Sequence, residues 1–198
     1  VGNLTVSSGS MTIAGGIGEY DLAVQEAVNA AKDSGTVSAT SVGTNVTVAA
    51  PATLTVGNLN VTNALSVTAN GDFTAGNITV TKGTYKDLTG EKAVADHSTT
   101  GAATITVADK KTAKVGDITV DAGAFTKSGS GSLTAGNATV NVANGLAVSE
   151  GTLTVKNFTT GASGSATVGN TGTLEVTGTI TGEKQSLNAV SYTHLTLP

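Results

Sequence analysis

The chain has 198 residues, ten lysines, no arginine, 14 acidic residues, a net charge of −4 and no cysteine. That length suits one domain with a real core, and the cysteine count excludes both a disulfide frame and a thiolate metal or redox site. Sparse cations and 3% aromatics also argue against a nucleic-acid partner, which needs clustered positive charge and stacking rings.

Gly2-Asn3-Leu4-Thr5-Val6 opens the chain in mid-phrase, so the sequence reads as an interior piece of a longer protein, with residues 1–16 ending a preceding coil. From Tyr20 the spacing changes. Tyr20, Val24, Ala27, Val28 and Ala31 fall at helical intervals, Glu19 and Asp21 sit at the positive start, and Lys32 and Gly35 mark the stop. These predict a short amphipathic helix near 20–32, within a segment 17–35. Its phrase Ala23-Val24-Gln25-Glu26-Ala27-Val28-Asn29-Ala30-Ala31 resembles the helix that begins right-handed parallel β-helices of the pectate-lyase type. That likeness implies a cap on the core, while the β-like residues before it leave an inserted helix open.

From residue 36 to 189 one phrase dominates. Gly57-Asn58-Leu59-Asn60-Val61 recurs as Gly76-Asn77-Ile78-Thr79-Val80, Gly116-Asp117-Ile118-Thr119-Val120 and Gly136-Asn137-Ala138-Thr139-Val140. Successive glycines are 19, 40 and 20 residues apart, so one unit is about twenty residues, a solenoid period. Larger echoes lie above it. Residues 60–67 return at 141–148, Thr89-Gly90-Glu91-Lys92 returns at 181–184, and Phe125-Thr126 and Phe158-Thr159 each precede Asn137 and Asn170 by twelve residues.

Within each unit, apolar and polar residues alternate with the period of a strand. One coil cannot bury enough apolar surface to stand alone, so coils must stack and share an interior. The expected fold is therefore all-β, a single-stranded parallel β-helix (β-solenoid) of roughly 20-residue coils. Its interior should hold Leu59, Val61, Ile78, Val80, Ile118, Val120, Val140, Leu153, Val155, Leu174 and Val176. About eight coils at the strand spacing of about 4.8 Å would make a rod about 40 Å long. A β-sandwich is disfavoured because no unit has the hundred or so residues it needs. Residues 190–198 abandon the glycine-rich style, resemble a translated sequencing-adapter tail, and are set aside.

The Gly-Asn-Leu-Thr-Val phrases, with Gly151-Thr152-Leu153-Thr154-Val155 and Gly172-Thr173-Leu174-Glu175-Val176-Thr177-Gly178, resemble bacterial autotransporter passengers and filamentous-haemagglutinin-like adhesins. The likeness runs over most of 36–184 and rests on composition and repeats. It implies a stalk segment of an adhesin or passenger, displayed outside a bacterium. Any host glycan or matrix protein would then be met through other regions of the full protein, with no membrane span here and no cofactor.

Catalytic chemistry finds little support in the residues. A polysaccharide lyase on this fold would need clustered carboxylates and a strong base, often arginine. Asp72, Asp87, Asp96, Asp109, Asp117 and Asp121 are scattered, without calcium-loop spacing. Asp117 and Asp121 share a strand face and could weakly hold a cation, against the plainer reading of a solvated edge. His97 and His194 are the only imidazoles, and Asp96-His97-Ser98 are consecutive, so their side chains diverge on an extended strand rather than converge as a triad must. The Gly-Asn phrases do not open helices and so are not phosphate-binding turns. Thr-x-Thr pairs such as Thr79/Thr81 suggest an ice-binding face, but Asp121 and Asn141 interrupt the second row. Phe73, Tyr85, Phe125 and Phe158 are expected to fill the core. In the competing reading, a carbohydrate-binding or polysaccharide-degrading β-helix, Tyr85 and Phe125 would be the sugar platforms. No catalytic, cofactor or metal residue is assigned.

Overall fold

A computed structural model describes residues 3–7, 9–13, 38–39, 45–86, 96–182 and 186–189. It is an all-β solenoid. Six complete turns, 45–61, 64–80, 102–120, 124–140, 146–160 and 165–182, stack in parallel. At the usual strand spacing, six rungs span about 25–30 Å. The first strands, Asn3–Val6 and Ser10–Ile13, join the same ladders by pairing with Asn45–Val48 and Thr53–Val56. The helix expected near 20–32 and the tail at 190–198 lie outside the described residues.

Each turn has three sides. The first carries Asn45–Val48, Ala64–Ala69, Ala102–Val107 and Ala124–Ser128; the second carries Thr53–Val56, Asp72–Thr74, Thr112–Lys114 and Ser132–Thr134. In the last two turns these sides fuse into the long strands Leu146–Val155 and Ser165–Val176. The third side is a separate six-stranded sheet of Leu59–Val61, Ile78–Val80, Ile118–Val120, Ala138–Val140, Phe158–Thr160 and Ile180–Gly182.

Alternation decides what is inside. All eleven aliphatics expected in the interior are buried, from Leu59 to Val176. Because the ladders are in register, inward residues form columns along the axis, such as Leu59, Ile78, Ile118, Ala138, Phe158 and Ile180. Each side holds one phenylalanine beside an alanine in the same column. Phe73 stands opposite Ala113 on the next rung, Phe125 pairs with Ala103, and Phe158 pairs with Ala138. The small neighbour makes room for the ring, so packing stays dense without lengthening the turn.

Two repeat readings change. The 40-residue step from Gly76 to Gly116 is one turn, since Ile78 pairs directly with Ile118. The extra length is an antiparallel hairpin, Lys82–Lys86 against Asp96–Thr100, between two stacked turns. Its base is tied down where the Gly101 N–H donates to the Thr81 carbonyl at 2.9 Å and the Thr99 hydroxyl donates to the Thr62 carbonyl at 2.6 Å. The twelve-residue echo of Phe125 and Phe158 is not structural, because Phe125 lies on the first side and Phe158 on the third.

Candidate functional site

The Gly-Asn phrase has a structural cause. At the corner before three successive third-side strands, the backbone N–H of an asparagine or aspartate donates to the side-chain oxygen of its counterpart one turn earlier. Asn77 N–H reaches Asn58 Oδ1 at 2.9 Å, Asp117 N–H reaches Asn77 Oδ1 at 2.9 Å, and Asn137 N–H reaches Asp117 Oδ1 at 2.7 Å. Thr179 N–H ends the ladder on Asn157 Oδ1 at 2.9 Å. The glycine before each of these residues lies against the same oxygen. A Cβ on Gly76, Gly116 or Gly136 would overlap the oxygen of Asn58, Asn77 or Asp117 respectively.

The one rung without that glycine behaves differently. Lys156 precedes Asn157, and there the link is the Asn157 side-chain Nδ2 donating to Asn137 Oδ1 at 2.8 Å. A side chain in place of glycine is thus accommodated by exchanging a backbone donor for an amide donor.

Beside this ladder, Thr79, Thr119, Thr139, Thr159 and Thr181 stand in register on consecutive rungs. Asp117, Asn137, Asn157 and Thr179 with Thr119, Thr139, Thr159 and Thr181 line a shallow open trough of about 610 Å³. The next row out is mixed: Asn141 Nδ2 donates to Asp121 Oδ1 at 2.7 Å, and the next turn carries Gly161 there. The regular second threonine row that an ice-matching face needs is therefore interrupted in the structure too. The trough can offer threonine hydroxyls to a polar ligand, while its asparagine and aspartate side chains are already engaged between turns.

The expected site residues separate. Phe125 is fully buried and unable to stack on a sugar, and Phe73 and Phe158 are 1% exposed. The sugar-platform reading of Phe125 is corrected accordingly: alternation from Thr126 turns it inward, where it fills a column next to Ala103. Tyr85 stands on the inserted hairpin, in register with His97. Asp96, His97 and Ser98 follow one another along a single extended strand there. Asp72 is on the second side, and Asp109 sits in a corner with its carboxylate 3.8 Å from the exposed Lys110 ammonium. Asp87 and His194 fall outside the described residues. Among the described residues no three histidines or acids gather as a metal site would require.

One interior group was not anticipated. Lys127 is completely buried in a first-side column between Ile105 and Val148. Its ammonium donates to the carbonyl of Gly129, to that of Gly131 at 2.6 Å and to that of Glu150 at 2.9 Å. Burial pulls its pKa down from 10.5 to about 8, with the negative charge of Glu150 opposing that fall. Alternation did point to it, since Phe125 inward implies Lys127 inward two residues later.

Among the described residues no helix is long and apolar enough to cross a membrane. Comparison with protein-family models, curated proteins and solved structures returns no match, so the fold and the site stand on their own geometry.

Proposed function

We propose that this chain is a stalk segment of an extracellular bacterial adhesin or autotransporter-type passenger, and that it carries no chemistry of its own. The observation that supports this most is the uninterrupted interior, which runs through all six turns with every rung hydrogen-bonded to the next. A rod with a continuous core resists bending, and its polar threonine and asparagine rows keep it wetted without a hydrophobic docking patch. Its corner asparagine and aspartate side chains are committed to holding turns together, as the Asn58-to-Thr179 ladder illustrates. The lack of arginine and cysteine is in keeping with a non-catalytic role. Under this reading the partner, a host-surface or matrix glycan or protein, is met by other regions of the full protein.

A glycan array probed with the 198-residue chain tests the reading. The stalk predicts no selective sugar binding. Strong, selective binding that disappears in Tyr85→Ala, with the fold intact, would replace it with a carbohydrate-binding role for the hairpin.

A further inference from the structure

A solenoid of near-identical turns faces a hazard that a non-repeating fold avoids. Slipping a strand by one residue turns its apolar face outward and is penalised at once. Slipping by a whole turn preserves alternation, so each column still sees aliphatics. The first-side columns make this concrete. One runs Leu65, Ala103, Phe125, Leu146 and Ala166, and the next runs Val67, Ile105, Lys127, Val148 and Val168. Apart from Phe125, which packs beside Ala103, and Lys127, these residues are all aliphatic from rung to rung.

Lys127 is the charged exception, and its three partners come from two particular turns. Gly129 and Gly131 form the corner of its own turn, and Glu150 belongs to the next. The ladder to the following turn shifts register between Val148 and Glu150, an irregularity of the kind that takes a carbonyl out of regular pairing. Gly151, with φ of +67°, then brings the chain so close that a Cβ there would lie 2.5 Å from the ammonium. The Ser149 hydroxyl adds a fourth tie by donating to the Lys127 carbonyl at 3.1 Å. The 146–160 turn thus brings a positive-φ glycine and the Glu150 carbonyl, beside a register shift, to the ammonium, and a hydroxyl to the backbone carbonyl of the same residue.

We propose that Lys127 is a register key: its buried ammonium admits the 146–160 turn, and no other, as the next layer on the 124–140 turn. An aliphatic residue at this position would pack well against any neighbouring turn. A charged one keeps the Gly129 and Gly131 carbonyls of its own turn in any stacking but meets the Glu150 carbonyl only in this one. In every other stacking its third hydrogen bond is left unmade inside the core, which is disfavoured. Single polar residues in coiled-coil seams fix register in the same manner, at a cost in stability. The lowered pKa agrees, since it marks a charge that is held in the interior at a net expense.

The chain has no cysteine, so introduced pairs report register directly. Thr126 and Ala147 are paired neighbours, while Thr126 and Thr167 are two rungs apart. Adjacent rungs lie within disulfide reach and second neighbours do not. Each pair, Thr126→Cys with Ala147→Cys and Thr126→Cys with Thr167→Cys, is built with Lys127 and with Lys127→Met, unfolded in urea, refolded and oxidised. With lysine, only the neighbouring pair should cross-link. With Lys127→Met, the two-rung pair should gain several-fold while thermal stability is equal or higher. Equal cross-linking patterns in the two backgrounds would overturn the proposal. So would a Lys127→Met chain that fails to fold, because the key is argued to lower stability rather than supply it.

Discussion

The backbone N–H of Asn137 donates to the Asp117 carboxylate at 2.7 Å across an interval of twenty residues, and the Asn137 side-chain amide reaches the same oxygen at 3.1 Å. This pair carries the repeat: the side-chain oxygen of one turn serves as the acceptor for the backbone of the next. The interaction needs an Asx oxygen below and a residue without Cβ just before the donor, which is what the recurring Gly-Asn pair supplies.

Gly136→Ala should therefore destabilise the rod even though its turn stays polar and half-exposed. The added methyl would overlap the Asp117 oxygen, and relieving that overlap should cost about 1–3 kcal/mol. Asp117→Asn keeps the acceptor and should be close to neutral, whereas Asp117→Ala should lose about 1 kcal/mol. Urea unfolding of the three variants checks this; an unaffected Gly136→Ala would refute the steric account of the motif.

Phe125→Ala should cost about 3–5 kcal/mol, as expected for a buried ring whose cavity cannot collapse between hydrogen-bonded rungs. Ala103→Leu, in the neighbouring rung of the same column, should also destabilise, by about 1–3 kcal/mol, because the ring already occupies that space. Combining the two should recover part of the loss, which a double-mutant cycle measures.

Stability should depend on pH through Lys127 with a definite sign. Burial lowers its pKa from 10.5 to about 8, so between those values the unfolded chain holds a proton that the folded chain has released. Stability from this group consequently rises with pH across that window, and the penalty for burying the charge is full below it. The effect is at most about 3 kcal/mol. Lys127→Met should be the more stable protein at pH 7, and the gap should narrow towards pH 10. A gap that widens with pH in parallel denaturation series would contradict the sign.

The inserted hairpin should be dispensable for the fold. Ile78–Val80 and Ile118–Val120 pair directly without it, and the Thr81 carbonyl accepts from the Gly101 N–H at its base. Replacing residues 82–100 by a single glycine should leave circular dichroism and the protection of amides in the 102–182 turns unchanged. Loss of that protection would assign the hairpin a structural role.

Alternation and the repeated phrase were enough to establish a parallel β-solenoid and to place Leu59, Ile78, Ile118, Leu153 and Leu174 inside, because side-chain direction in a strand follows from local geometry alone. They also placed Phe125 among core-filling residues, and the same parity would have put Lys127 there. What parity could not supply was partnership between turns. Whether the forty residues from Gly76 to Gly116 made two turns or one with a hairpin depended on Ile118 finding Ile78, a contact between residues far apart in the chain. The Glu150 carbonyl likewise reaches Lys127 only when the 146–160 turn is stacked on the 124–140 turn. A strand's faces are decided within the strand, whereas the neighbours of each face are decided by stacking, and only the tertiary structure contains that.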